Sequence, residues 1–404
     1  MTYNESINYL ESLAGFGIRP GLERITKLLE MLGNPQNKYK TIHVTGTNGK
    51  GSVCSMLSTI LTTANLKTGL FTSPHLISYR ERFKINDIDI DENHFAKLIE
   101  DVKFFIEKVT AENFESPTLF ETLTAAAFKY FADENVDYAV IEVGLGGLLD
   151  STNVIIPEVS VITNVANDHA EKCGGDIFGI ARYKAGIIKE KIPVVTGAVG
   201  EPLKIIRETA QKKHSKIFVL GEDFFVDENL KISLQGEYQK SNAAIAIKTA
   251  QIINSSFKIP YDKFKWSGRF EIFDFDEKKI VIDGAHNGAG AEALKKSLDK
   301  KFPNGRRIFL FGVLKDKDID VIIKKLFGKN DFVIVTKPDS ERAAEPDEIC
   351  RLLKNFGIES IAVENNFDAF EKFIHSDENI LICAGSLYLI GNISKMILDI
   401  KKNF

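Results

Sequence analysis

No apolar run in the 404-residue chain approaches the length needed to cross a bilayer. The opening stretch, MTYNESINYLESLAG, has neither the basic start nor the apolar core of a secretory signal. Cysteine is scarce: Cys54, Cys173, Cys350 and Cys383 form no C-x-x-C pair and are far too few for a disulfide framework. They read as reduced thiols of a cytoplasmic protein. An excess of basic charge is also missing. The 52 Lys and Arg residues stand against 56 Asp and Glu, a formal net charge of -4. That argues against a general nucleic-acid binder, which needs clustered cations to displace counterions. Internal repeats and low-complexity segments are absent. What remains is a cytoplasmic protein, expected as a monomer, with neither nucleic acid nor membrane as partner.

The chain is too long for one ordinary hydrophobic core, so two domains are expected. At 44% apolar and 27% charged residues, each can bury a core and stay soluble. Strand-like apolar runs alternate with helix-period segments, the pattern of an α/β fold with a mostly parallel sheet. Candidate strands fall at 41–45, 68–72, 138–143, 159–163, 193–196 and 216–220. After a break in the rhythm, others follow at 279–283, 307–313, 331–336, 360–363 and 379–384, and a final helix follows Ser386. The break holds a proline and the only Trp. It sets the expected division: an N-terminal phosphate-loop ATP-binding domain over 1–257, a linker over 258–267, and a smaller C-terminal Rossmann-like α/β domain over 268–404.

The sharpest signal is TIHVTGTNGKGSVCSMLSTIL, residues 41–61. An apolar strand runs into Gly46-Thr47-Asn48-Gly49-Lys50-Gly51-Ser52. A helix follows with Val53, Met56, Leu57, Ile60 and Leu61 on one face. Strand, Gly-rich loop, helix and strand in that order are what a phosphate loop requires. Glycines let backbone N–H groups turn inward as an anion cradle, and the helix start adds positive potential. Lys50 can then reach the outer phosphates, and Ser52 can offer its hydroxyl to a phosphate or its magnesium. The usual pattern puts Ser or Thr directly after the lysine; here Gly51 intervenes. Downstream, Glu142 ends the apolar strand YAVIEV before a Gly-rich turn. On the residues alone it reads equally as a metal ligand or as half of an ion pair.

The departure at Gly51 points to a family. GTNGKGS resembles the loop of the folylpolyglutamate and dihydrofolate synthases, relatives of the Mur ligases. GLERI at 21–25, LGNPQ at 32–36, TSPHL at 72–76, YRERFKIN at 79–86 and PTLFETLTAAAF at 117–128 fit the same family. So do IEVGLGGLLDSTN at 141–153, TNVANDH at 163–169 and KAGIIK at 184–189. In the last third GRFE at 268–271, DGAHN at 283–287, GVLKDKD at 312–318 and AGSLYLIG at 384–391 complete the series in the family's order.

The resemblance implies an ATP-dependent ligase that adds L-glutamate to a folate. It implies that Ser73 and Glu142 hold one magnesium ion and His169 a second. Thr47, Asn48, Gly49, Lys50, Gly51 and Ser52 would bind ATP, with Asn242, Arg269, Asp283 and His286 on its nucleoside and phosphate side. Lys184 would be carbamylated, which needs a neutral amine. The catalytic residues would be Lys50, Lys184 and His169. Thr118, Leu119, Phe120 and Glu121, with Leu149, Asp150 and Ser151, would line the folate or pteroate slot. The γ-phosphate would pass to the substrate carboxylate, and the amine of glutamate would attack the acyl phosphate. Rival readings are a dihydrofolate synthase alone, a Mur-type peptide ligase, and a phosphate-loop switch protein without ligase chemistry. The second is disfavoured by the short stretch before the phosphate loop, the third by Ser73, Glu142 and His169 together.

Overall fold

The structure, a computed structural model, describes residues 1–402 apart from His169, Asp276, Asn304 and Gly305. By contacts the chain forms two compact units. One comprises Met1–Lys231 with Ser241–Phe264, the other Ile232–Lys240 with Lys265–Phe404. The helix Tyr238–Ile253 starts in the second unit and continues in the first.

The first unit is built on strands β1 (Lys40–Thr45), β2 (Thr68–Phe71), β3 (Phe83–Ile85), β4 (Ile88–Asp89), β5 (Tyr138–Glu142), β6 (Val159–Ile162), β7 (Val194–Thr196) and β8 (Ile217–Val219). Their order in the sheet is β4-β3-β2-β5-β1-β6-β7-β8. From β2 to β8 all neighbours are parallel, and β3 and β4 add an antiparallel edge. The runs TIHV, YAVIE and VSVI are buried throughout, as strands covered on both faces must be. One face packs Phe71, Phe83, Phe95, Phe128 and Phe131 into a continuous core. Val143, Ile162, Ile187, Ile188 and Val194 gather in another cluster.

The edge hairpin was not foreseen in the sequence. Asn86 and Asp87 join β3 to β4 with φ of 51° and 64°, the left-handed pair that a two-residue hairpin turn demands. The strand order matters more for function. β1 lies between β5 and β6, while the chain leaves β1 for β2 beyond β5. Such a switch in winding direction leaves a crevice at the carboxyl ends of these strands, where ligands of doubly wound sheets bind.

The second unit carries β9 (Glu271–Phe275), β10 (Lys278–Ile282), β11 (Ile308–Phe311), β12 (Phe332–Val335), β13 (Glu359–Ala362) and β14 (Ile380–Ala384), in the order β13-β12-β11-β14-β10-β9. Only β9 runs antiparallel to its neighbour among these described strands. Its core gathers Phe309, Phe311, Ile322, Leu326 and Val333. No helix among the described residues is long and apolar enough to cross a membrane.

Within β1, His43 is fully buried. Burial, then the charge of Lys189, push its pKa from 6.5 down to about 3. The folded state therefore keeps this imidazole neutral where the unfolded chain would protonate it. Its contribution to stability is intact above pH 6.5 and is lost as pH falls toward 3, at about 1.4 kcal/mol per pH unit. Thermal unfolding between pH 7 and 4.5 checks this. The stability of His43→Gln should fall with acid less steeply than that of the wild type, by about that slope.

Candidate active site

β1 delivers the chain into the glycine loop, and the segment after β6 holds that loop in shape. Gly46 has φ of 155°, and a Cβ there would collide with the Thr163 hydroxyl. Gly49, with φ of 81°, precedes the helix Lys50–Thr63, and a side chain on it would run into the Asn242 carboxamide. Thr163 Oγ1 donates to the Asn48 carbonyl at 2.6 Å. The Asn164 carboxamide accepts from Asn48 N at 3.0 Å and donates to the Asn48 carbonyl at 2.9 Å. The Thr47 hydroxyl donates to the Ala166 carbonyl at 3.1 Å and accepts from Ala166 N at 3.0 Å. Backbone held this way does not have to reorganise when an anion arrives. Lys50 Nζ lies 3.4 Å from the Thr47 carbonyl, and Ser52 is buried. Thr163 and Asn164 were missed as loop-shaping residues in the sequence; the only signal was their place directly after a buried strand.

Glu142 ends β5 one strand away. It is buried, and its Oε2 accepts from Ser73 N at 3.0 Å. A cis peptide joins Ser73 to Pro74. The Gly-rich turn after Glu142 is pinned to β1 by Thr45 Oγ1, which donates to the Gly146 carbonyl at 2.6 Å. The turn also packs on the helix Ile177–Ala185 that carries Lys184. Leu148 N donates to the Tyr183 carbonyl at 2.7 Å. Lys184 is buried, and burial, followed by the nearby charge of Lys50, brings its amine from 10.5 down to about 7. Asp168, Asp150 and Cys173 act on it in the opposite sense. His169 lies outside the described residues.

The residues expected at a substrate slot divide into two kinds. Phe120 stacks on Phe71 with ring centroids 6.0 Å apart, and its ring lies against Gly144, where a Cβ would meet it. Leu149 is 37% exposed, so apolar surface is available to a flat ligand. The polar members are engaged with one another. Thr118 caps the helix Leu119–Asp133, and Glu121 closes its capping box. Arg24 Nε lies 3.1 Å from both Glu121 oxygens. Asp150 accepts from Leu145 N and from both the amide and the hydroxyl of Thr152. Ser151 Oγ is 2.7 Å from Thr124 Oγ1. These contacts make Glu121 and Asp150 wall-builders. Arg24 went unassigned in the sequence because its partner lies 97 residues away.

In the second unit Asp283 sits just past the end of β10, buried, with burial raising its pKa and Arg269 opposing the rise. It accepts from the Tyr238 hydroxyl at 2.6 Å, Phe270 N at 2.8 Å and Ala285 N at 2.8 Å. His286 Nδ1 is 2.7 Å from the Gly284 carbonyl, which fixes that nitrogen as the donor. Arg269 lies against Gly284, with its Nη1 donating to the Gly268 carbonyl at 3.0 Å. Tyr238 is the member of this cluster that sequence reasoning missed.

Residues 44–259 match the Mur ligase middle domain, and residues 268–387 match the Mur ligase glutamate ligase domain. The chain is 33% identical to the dihydrofolate synthase/folylpolyglutamate synthase of Bacillus subtilis, over 97% of this chain and 98% of that one. The crystal structure of folylpolyglutamate synthase from Thermotoga maritima superposes with a TM-score of 0.86 at 36% identity, covering 98% of this chain and 96% of the other. Escherichia coli FolC in complex with DHPP and ADP gives 0.88 at 26% identity, over 99% of both chains. The chain belongs to the folylpolyglutamate synthase/dihydrofolate synthase family of the Mur ligase superfamily.

Proposed function

We propose that the protein is an ATP-dependent ligase that joins L-glutamate to the γ-carboxylate of a folyl-polyglutamate, and to dihydropteroate to make dihydrofolate. The observation that carries this reading is the meeting of a pre-shaped phosphate loop, the buried Glu142 and the buried Lys184 in one unit. The relatives' activities and the ADP in one of their structures support it. Backbone N–H groups of Thr47–Ser52 and the Lys50 ammonium hold the phosphates, with Asn242 beside Gly49. For the second unit we assign Arg269, Asp283 and His286 to the nucleotide.

Among the described residues no three acidic, His or Cys side chains cluster as a closed metal cage. Magnesium suits the donors present, because it takes one or two carboxylate oxygens and completes its shell with phosphate and water. Glu142 and Ser73 are the residues we assign to hold it, and His169 is kept as the candidate for a second ion. When bound, it neutralises phosphate charge and polarises the transferred group.

The carboxylate oxygen attacks the γ-phosphorus and ADP departs, leaving an acyl phosphate. The glutamate amine then attacks the acyl carbon, forming the amide and expelling phosphate. Lys50 balances charge on the transferring phosphoryl group. The amine of Lys184, neutral in part near pH 7, adds to carbon dioxide and releases a proton to solvent, becoming a carbamate anion near the Lys50 charge. Phe120 and Leu149 take the flat face of the pterin, on walls fixed by Glu121 and Asp150.

Purified protein with ATP, magnesium and glutamate, offered dihydropteroate or tetrahydrofolate in turn, tests the assignment. ADP should appear only when both acceptor and glutamate are present. ADP release indifferent to either would mark a phosphate-loop protein of another kind. Glu142→Gln should keep its fold, since the amide oxygen can still accept from Ser73 N. Turnover should fall by about 100-fold at low magnesium and recover in part at high magnesium. Unfolding at ordinary temperature, with the folded fraction fully active, would make Glu142 a structural partner only.

A further inference from the structure

The fully buried His43 faces Thr152, with Nε2 2.8 Å from its hydroxyl oxygen. That hydroxyl has one hydrogen, and the 2.5 Å contact to Asp150 Oδ1 uses it. Toward His43 it can therefore only accept, which places the imidazole hydrogen on Nε2. His43 Nδ1 is buried with no partner, as a bare ring nitrogen would be. Asp150 also accepts from Thr152 N at 3.0 Å on Oδ1 and from Leu145 N at 2.8 Å on Oδ2. The carboxylate thus ties the entrance of the 144–150 loop to its exit. The same loop reaches the helix of Lys184, for Leu148 N bonds to the Tyr183 carbonyl at 2.7 Å. Asn153 Nδ2 then bridges the Leu148 carbonyl at 2.9 Å and the Gly186 carbonyl at 3.2 Å. The directed chain of hydrogen bonds from the strand that feeds the phosphate loop ends on Asp150, and the segment it fixes is bonded in turn to the helix that carries Lys184 and to Gly186 at its end.

We propose that His43 is a positioning residue for ligation: its Nε2–H bond to the Thr152 hydroxyl, which in turn donates to Asp150, holds the 144–150 loop against the helix carrying Lys184. The imidazole touches no substrate and transfers no proton. It fixes the rotor of Thr152, which would otherwise be free to turn from Asp150. The inference rests on the ligase reading of the site, and goes beyond it by giving a role to a core histidine remote from the reactants.

The test pairs four variants. His43→Leu and Thr152→Val remove the relay while roughly keeping volume; His43→Gln and Thr152→Ser keep a donor and a hydroxyl in place. His43→Leu and Thr152→Val should each lower kcat by about tenfold or more, with the KM for ATP within about twofold of wild type. His43→Gln and Thr152→Ser should stay within about threefold. The double variant His43→Leu/Thr152→Val should lose no more than either single one, because both break one chain. Amide exchange at Leu145 and Leu148 should quicken in the same variants that lose kcat. A folded His43→Leu with wild-type kcat, a Thr152→Ser as impaired as Thr152→Val, or losses that multiply in the double variant would overturn the proposal. Should His43→Leu not fold, the Thr152 pair decides alone, since it leaves the strand untouched. The exchange measurement reads the relay even if the wild type does not ligate glutamate, so failure of the relay and failure of the ligase reading are told apart.

Discussion

Lys50→Ala is expected to fold normally and to ligate at least about 100-fold more slowly than wild type. The helix it opens is anchored by residues from Ser52 to Leu61, all buried, whereas Lys50 itself is only half-buried. Its removal takes no apolar mass from the core. What goes is the cation held over a backbone cradle, 3.4 Å from the Thr47 carbonyl. A second loss follows from proximity. The Lys50 charge helps depress the Lys184 amine, so without it that amine rises and is less often neutral. Turnover by ADP release, beside thermal unfolding of the same sample, reads both. Near-normal ligation by a folded Lys50→Ala protein would falsify the phosphate-loop assignment.

Lys184→Ala is expected to be nearly inactive, and to regain part of its activity with acetate or formate. An ordinary lysine is neutral in fewer than about one molecule in a thousand at pH 7. At a pKa of about 7, close to half of the Lys184 amines are neutral there and can take up carbon dioxide. A carbamate formed there would lie near a cation, Lys50, so the modification would replace repulsion by attraction. A small carboxylate diffusing into the space left by alanine restores that anion. Lys184→Arg keeps a charge, forms no carbamate and stays inactive. Stripping carbon dioxide should slow the wild type and leave Lys184→Ala with acetate unaffected. Should Lys184→Arg match the wild type, the site needs a cation or nothing, and the carbamate is ruled out.

The parts of the molecule that were legible in the sequence share a physical cause. The parallel strands announce themselves because burial on both faces forces continuous runs such as YAVIE and IFLF. GTNGKGS is legible because backbone that must point its N–H groups inward tolerates little besides glycine at Gly46 and Gly49. The short edge strands β3, β4 and β9 are half-polar and carry no such run. The one cue to β3 and β4 was the Asn86-Asp87 pair. Within the site, what was hidden is long-range. Arg24 meets Glu121 across 97 residues, Thr163 meets Asn48 across 115, and His43 meets Thr152 across 109. Local patterning has no access to such pairs. The same blindness hid the neighbouring donors that engage the oxygens of Glu121 and Asp150. Residues 232–240 read as part of the N-terminal stretch, yet Tyr238 bonds to Asp283 and the segment groups with the second unit.

The central claim is that this phosphate loop serves to activate a carboxylate, and one isotope experiment addresses it directly. The folate or pteroate acceptor is supplied with its reacting carboxylate labelled with oxygen-18, together with ATP, magnesium and glutamate, and the released phosphate is analysed by mass. Ligation through an acyl phosphate moves one labelled oxygen from the carboxylate to phosphate for each amide formed, with ADP in equal amount. Amide formation with unlabelled phosphate, or with AMP in place of ADP, would contradict the account.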